Sequence, residues 1–497
     1  MSERIDSKAF SEYLYDCGVC DYCVLRYLKP QYEEFWDVRS SLKKRGIKIA
    51  PESDESFEKK SKTNPCIICY NVFHEIDELI QKIKNHEGLK KYNQINTFLS
   101  SFCLPVLLEL TQLQMWLTLL DKFPENFDKE RLPDMPIKDA VKTLLNDKLE
   151  QELDKTFDPD GLMISIFFNI ENENEILSKL DMIAPELMTD RNKQKKKYKT
   201  EVISRNYFAK HFQPTNIDIK KFQEHLPLPP SIPSSSLQLT QISFTGPTVF
   251  VAGRYNKFSR HLSQSPWFIG EKRMSEGSVQ ESITCHVAPY FDALPSAVTF
   301  MSSGREDVDV RCLGRGRPFA LEITDATKTT LDSSTAADIE RKVCQSRVVS
   351  IRDLQIVKRD DLHHIKSGEE EKRKIYRALC TLRDKNVTED ILTKLDISEP
   401  FEIQQWTPVR VLHRRTLIKR PRTIYKVKAF AVKDKPHLVV LDIITQAGTY
   451  VKELVHSEFS RTEPSISSII SMDIDIIALD VMNIELNFPP TVVRENA

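Results

Sequence analysis

Gly304-Arg305-Glu306-Asp307-Val308-Asp309-Val310-Arg311-Cys312-Leu313-Gly314-Arg315-Gly316-Arg317-Pro318 sets two aspartates among four arginines. Its glycines and Pro318 predict a turn-rich loop, and Phe319-Ala-Leu-Glu-Ile323 behind it predicts a strand. Arginines clustered on a surface loop bind anions, phosphates most simply. A carboxylate among them is favoured in its ionised form, which is the form a nucleophile needs. A salt-bridged surface loop would have the same composition, so the choice rests on the rest of the chain.

Downstream of the loop, Ser367 to Leu379 reads as a charged hinge entering a strand that contains Tyr376. Val409-Arg-Val-Leu-His-Arg-Arg415 and Thr423 to Val432 read as a β pair, and His437 to Thr445 as a further strand. That strand runs into Gln446-Ala-Gly-Thr-Tyr450-Val-Lys452-Glu-Leu-Val-His456, where the chain turns through Gly448 into a helix. Backbone donors at such a start attract anions, yet Lys452 lies in the first turn, where a cation does not help the helix itself. Its position predicts a partner carboxylate. The chain closes on an alternating apolar run, Met472 to Phe488, suited to final strands. Upstream, Pro247 to His261 reads as a strand entering a loop in which Arg254, Lys257 and Arg260 interleave with Tyr255 and Phe258. This mixture tracks phosphates while stacking bases.

With 497 residues the chain exceeds one core, and its length predicts about three domain-sized units. A formal charge of −1 makes no global case for a polyanion partner, so a nucleic-acid site must be a local patch. No apolar run reaches the length of a membrane span, and Met1-Ser-Glu-Arg-Ile-Asp-Ser-Lys8 lacks a signal core. The expectation is a soluble intracellular protein of the nucleus or cytoplasm without a membrane partner, and monomer is the default oligomeric state.

In such a chain, close cysteine pairs point to metal rather than disulfides. Cys17, Cys20 and Cys23 precede the pair Cys66 and Cys69, and two CxxC knuckles from separate segments build a four-thiolate zinc site. Cys20 and Cys23 are preferred because they lead into the helical Val24 to Leu28, and Cys17 stays open as a substitute. The expected organisation is a zinc module over 1–75, an α/β accessory region over 76–224, a Pro/Ser-rich linker over 225–245 and a main domain over 246–497. Within the accessory region Glu75 to Ile83 and Ala140 to Thr156 have helical spacing, Leu162 to Phe168 reads as a buried strand, and Phe98 to Leu110 is apolar without a clear state. The basic run Asp190 to Lys199 suits a solvated loop, or a phosphate-tracking edge if the region binds RNA.

These motifs together resemble the pseudouridine synthases. Gly304-Arg-Glu-Asp307 resembles the motif whose aspartate is the nucleophile, Lys374-Ile-Tyr376 the tyrosine motif, and Gly448 to Leu454 the third motif. The strings GREDVDVR, AGRYNKFSR, HRR and AGTYVKELVH resemble the archaeal and eukaryotic branch that modifies the TΨC arm of tRNA. The likeness is specific over about 246 to 490 and weaker before it. It implies an α+β fold: a catalytic domain on a mixed, largely antiparallel sheet with flanking helices, and an N-terminal α/β, THUMP-containing RNA-binding domain with a four-cysteine zinc module. It implies isomerisation of uridine in tRNA, at one or both of two adjacent positions of the arm, with other structured RNAs as further candidates. The chemistry needs no cofactor, and zinc is structural.

By the same resemblance Asp307 is the nucleophile, Tyr376 is a catalytic residue that packs on the uracil face and is a candidate to help proton removal, Lys452 is the catalytic partner that pairs with Asp307, and Tyr450 contacts substrate. Arg305 and Arg311 of the loop, with Arg254 and Lys257, hold flanking phosphates. Asp309 competes for the nucleophile's place, since two residues along an extended chain point the same way. An inactive RNA-binding protein of the same fold would share this charge pattern but would be free to lose Asp307, Tyr376 or Lys452. A methyltransferase or thiouridine synthetase needs a glycine-rich cofactor loop after a strand, which is not evident. A two-metal nuclease needs more clustered carboxylates.

Overall fold

The computed structural model describes residues 7–49, 65–127, 135–185, 203–370, 372–383 and 385–493. The chain divides into two compact units, Met1–Gly246 and Pro247–Ala497. The basic run Asp190 to Lys199 lies outside the described residues. Among the described residues no helix is long and apolar enough to cross a membrane.

In the first unit the apolar stretch from Phe98 resolves into a strand and then a helix. Strands β1 (Thr97–Cys103), β2 (Thr156–Phe157), β3 (Leu162–Asn169) and β4 (Gln238–Thr245) form one sheet in the order β2-β1-β3-β4. β1 runs parallel to β2 and β3, and β4 is antiparallel to β3. The helix Leu107–Lys122 is buried on nearly every face, as expected of a helix without a polar stripe. Ile76–Lys84 buries Ile76, Leu79, Ile80 and Ile83, the spacing of an amphipathic helix. It packs against Ile137–Leu153.

Two boundaries move. Among the described residues, those of 1–75 and of 76–224 share one core, in which Cys23, Cys66 and Cys69 lie with Leu110, Leu117 and Phe222. Of the expected linker, Gln238–Thr245 is the ladder partner of β3, and the run of prolines and serines ends at Ser236 before it.

The second unit is built on a sheet of ten strands. Its members are β5 (Val249–Lys257), β8 (Val298–Ser302), β9 (Arg311–Ile323), β10 (Val349–Val357) and β11 (Lys374–Leu382). They continue with β12 (Phe401–Trp406), β13 (Lys419–Ala431), β14 (Leu438–Thr445), β15 (Thr462–Glu463) and β16 (Ile474–Ile484). The order is β10-β5-β9-β16-β11-β14-β13-β12-β15, with β8 beside β9. A separate hairpin joins β6 (Phe268–Ile269) and β7 (Lys272–Arg273). Every pairing in the large sheet is antiparallel except the short β9–β16 register, Asp480 with Arg311 and Val481 with Cys312. Helices Val279–Val287 and Ser333–Cys344 pack with β10.

The expected loop over 304–318 is half strand. Arg311 to Pro318 belong to β9, and only Gly304 to Val310 remain as the loop. The glycines there serve close approach rather than a turn. A Cβ on Gly314 would collide with the Met482 carbonyl oxygen, and one on Gly316 would lie 2.7 Å from that of Tyr255. Both have positive φ, +59° and +85°. Gly314→Ala is therefore expected to destabilise by more than the roughly 1–2 kcal/mol of left-handed backbone alone, read as a lowered denaturant midpoint. The segment Val409–Val411 is a 3-10 turn instead of a strand, because Pro408 opens it and the chain folds back through 412–415 before β13 begins at Lys419.

Candidate active site

The loop that carries Asp307 is held from below by buried polar groups. Glu306 points inward and faces Arg317, whose Nε lies 2.7 Å from Glu306 Oε2, with both side chains at most 2% exposed. Tyr255 donates its hydroxyl to Glu306 at 2.8 Å, and Gln264 Nε2 donates to Tyr255 Oη and to the Gly304 carbonyl. Burial opposes the Arg317 charge, but Glu306 together with Tyr255, Cys312 and Tyr376 outweighs it and raises the guanidinium pKa. Arg317→Met would leave Glu306 buried without its cation, at an expected cost of about 3–5 kcal/mol, measurable by denaturant unfolding.

Lys257 fastens the same loop. Its Nζ donates to the carbonyls of Leu262, Asp307 and Val308 at 2.8, 3.0 and 2.8 Å. Burial lowers its pKa. Arg254 donates to the carbonyls of Leu486, Phe488 and Gly316, and burial pushes its pKa down to about 10. Both residues are fully buried, so the phosphate-holding part expected of Arg254 and Lys257 does not fit them. Their donors are already spent on backbone carbonyls. Arg311 is also engaged elsewhere, bidentate to Asp480 at 3.0 and 2.7 Å, and it is not on the pocket wall.

Above the loop opens a pocket of about 290 Å³. Asp307, Tyr376 and Tyr450 share its wall with Arg305, Arg410, Arg414 and Lys452. β11 delivers Tyr376, and the start of the helix Val451–His456 delivers Tyr450 and Lys452. Gln405 secures that start by accepting from Tyr450 N at 2.8 Å and donating to its carbonyl at 3.0 Å. Burial pushes the Tyr376 phenol up to about 12.

The cations sort themselves between the two aspartates in an arrangement the motifs did not disclose. Asp307 Oδ2 receives Arg410 NH1 at 2.8 Å, while Lys452 Nζ stands 3.5 Å away. Lys452 sits closer to Asp309, at 2.7 and 2.9 Å. Burial opposes ionisation of Asp309, but Lys452 prevails and holds its pKa below the usual carboxylate range. The expected Lys452–Asp307 pair is therefore the longer of two, and the nearest cation to Asp307 is Arg410. Asp309 is 62% exposed and off the pocket wall, whereas Asp307 is 32% exposed and on it. Arg305 lines the pocket and has no protein partner among the described residues.

Sequence reasoning missed Arg410, Glu453 and Glu306 as site residues. Arg410 and Asp307 lie 103 positions apart, and no local pattern links them. The one available signal was the string Val409 to Arg415, rich in cations and followed by a break before β13.

In the first unit the chain brings Cys20, Cys23, Cys66 and Cys69 together, with every Sγ within 4.8 Å of the others. Cys20 Sγ and Cys69 Sγ are 3.6 Å apart, close to the spacing of about 3.8 Å set by tetrahedral Zn–S bonds of about 2.3 Å. Cys17 is outside the group. The set offers a metal four soft donors and no open position. Arg26, fully buried, reaches Cys23 Sγ at 3.8 Å and donates to the Met135 carbonyl at 2.8 Å.

Residues 250–485 match the family described as Pus10, C-terminal, and residues 66–244 match Eukaryotic Pus10, N-terminal. A Drosophila melanogaster relative bearing the Pus10 name is 43% identical over 490 residues, 96% of this chain and 97% of its own. The tRNA pseudouridine synthase Pus10 of Xenopus laevis is 35% identical over 433 residues, 86% of this chain and 81% of its own. That of Homo sapiens is 34% identical over 437 residues, 87% of this chain and 80% of its own. The chain belongs to the Pus10 family of pseudouridine synthases.

Proposed function

We propose that this enzyme isomerises uridine to pseudouridine in the TΨC arm of tRNA, with Asp307 as nucleophile. The observation that carries the reading is the placement of Asp307 beside Tyr376 and Tyr450 on the wall of one cation-rich pocket. The reaction breaks the N1–C1′ bond, turns the base and joins C5 to C1′; the C5 proton passes to solvent, N1 takes one up, and the bond that Asp307 forms on attack is broken again before product leaves. No electrons change hands, so the residues need only supply attack, a surface for the base and charge balance. The Asp307 carboxylate attacks the nucleoside. Tyr376 packs against the uracil face, and Tyr450 contacts the substrate from the helix start. Arg410 and Lys452 keep the loop carboxylates oriented by charge-assisted hydrogen bonds.

The target uridine lies in a folded arm and must leave its stack to reach Asp307. Arg305 and Arg414 are the wall cations suited to the flanking phosphates, which set position rather than sequence. In the first unit, the sheet of β1 to β4 with its two long helices is the part that would act as the THUMP-like RNA-binding domain. The four clustered thiolates would hold zinc, which as a closed site supplies folding energy and no step of the reaction. Incubation with unmodified tRNA transcript, followed by chemical mapping, is expected to place pseudouridine in the TΨC arm. Product only outside that arm, or none, would overturn the substrate assignment.

A further inference from the structure

Glu453 is 2% exposed, and nothing in the proposed chemistry uses it. It follows Lys452 on the short helix Val451–His456 and turns into the protein where Lys452 turns toward the loop. Its Oε1 accepts from Arg410 Nε at 2.7 Å and its Oε2 from Arg410 NH2 at 3.3 Å. The same guanidinium offers its remaining nitrogen, NH1, to Asp307 Oδ2 at 2.8 Å. One planar group thus spans two carboxylates, one buried and one on the pocket wall.

We infer that Glu453 is a positioning residue for the reaction, acting on Asp307 through Arg410. Among the described residues Arg410 is its one ion-pair partner. A buried carboxylate stripped of its cation is costly, so Arg410 cannot swing into solvent without exposing Glu453 to that cost. The guanidinium is planar and its donors form a fixed fork. Clamping the Nε edge on Glu453 therefore sets where NH1 points, and NH1 sets the Asp307 carboxylate. An arginine held only by Asp307 would wander with its long side chain and would be drawn off by the first RNA phosphate. The buried anchor keeps it at the nucleophile while the other wall cations meet the RNA. The helix that carries Lys452 and Glu453 in succession thereby governs both loop acids, Asp309 directly and Asp307 through one intermediary.

This inference rests on Asp307 being the nucleophile, and the test separates the two. Glu453→Gln preserves shape and removes the charge. Because a misplacement of about 1 Å can cost on the order of 10²-fold, kcat on tRNA transcript is expected to fall by about that factor, with KM unchanged. In an Arg410→Ala background the same substitution is expected to cost nothing further, since its route to Asp307 is already cut. A merely structural role would add its loss in both backgrounds. Arg410→Lys, on a partly exposed side chain that threatens the fold less, keeps the charge but cannot span both acids, and is expected to lose kcat as Glu453→Gln does. Wild-type kcat in Glu453→Gln or in Arg410→Lys, or additive losses in the double variant, would overturn the inference. If Asp307→Asn assayed alongside is inactive while Glu453→Gln is not, only the inference fails. An active Asp307→Asn would instead remove the nucleophile assignment beneath it.

Discussion

Asp307→Asn is expected to lower the rate of isomerisation by roughly 10⁴- to 10⁶-fold, the scale seen when an enzyme loses its nucleophile or a member of its catalytic set. The asparagine fills the same volume and still accepts from Arg410 NH1, so the loop on Lys257, Glu306 and Gln264 keeps its place. RNA affinity comes mainly from phosphate contacts, and the cations that make them are untouched. The dissociation constant for tRNA is therefore expected to stay near the wild-type value. Single-turnover kinetics and a filter-binding titration on the same preparation check the two halves. A parallel loss of rate and affinity would mean that Asp307 holds RNA rather than attacking it.

The second large effect concerns the first unit. Cys66→Ser removes one of four thiols that lie within 4.8 Å of each other, two of whose neighbours in the core, Ile67 and Ile68, are fully buried. Structural zinc contributes roughly 10–16 kcal/mol of apparent binding free energy in small folds, and the unit's core is continuous around these cysteines. The substitution, or a strong chelator, is expected to release zinc measured by metal analysis and to unfold the first unit, seen as loss of a cooperative thermal transition. Cys17→Ser is expected to do neither, because Cys17 lies outside the cluster. Stoichiometric zinc retained in Cys66→Ser, or lost in Cys17→Ser, would overturn this ligand set.

Much of the site was legible because its parts carry local signatures. Gly304-Arg-Glu-Asp307, the strand entering Tyr376 and the glycine turn before Tyr450 each announce themselves within a few residues, and the sheet brings all three to one pocket. Lys452 was legible in part: its poor fit to a helix start predicted a carboxylate partner, and it has two. Which of the two stands nearer depends on where Arg410 lies, and that is decided by the path of the chain after β12 rather than by any pattern around Asp307.

Arg254 and Lys257 were misread for a different reason. Cations interleaved with aromatics read as a surface that meets RNA, yet every residue of β5 is buried. The strand lies between β9 and β10, and its two cations are solvated by backbone carbonyls, most of them from segments far along the chain. No composition rule distinguishes such a buried cation from one facing solvent. Glycines 314 and 316 misled in the same way, since close approach of another strand's backbone selects the same residue as a turn does.

The most direct test uses tRNA transcript carrying tritium at uracil C5, because joining C5 to C1′ must expel that hydrogen. Tritium release is expected in a single turnover by the wild-type enzyme and by Asp309→Asn, and none by Asp307→Asn. Release at the wild-type rate by Asp307→Asn, with loss of release in Asp309→Asn, would contradict the assignment of Asp307 as nucleophile.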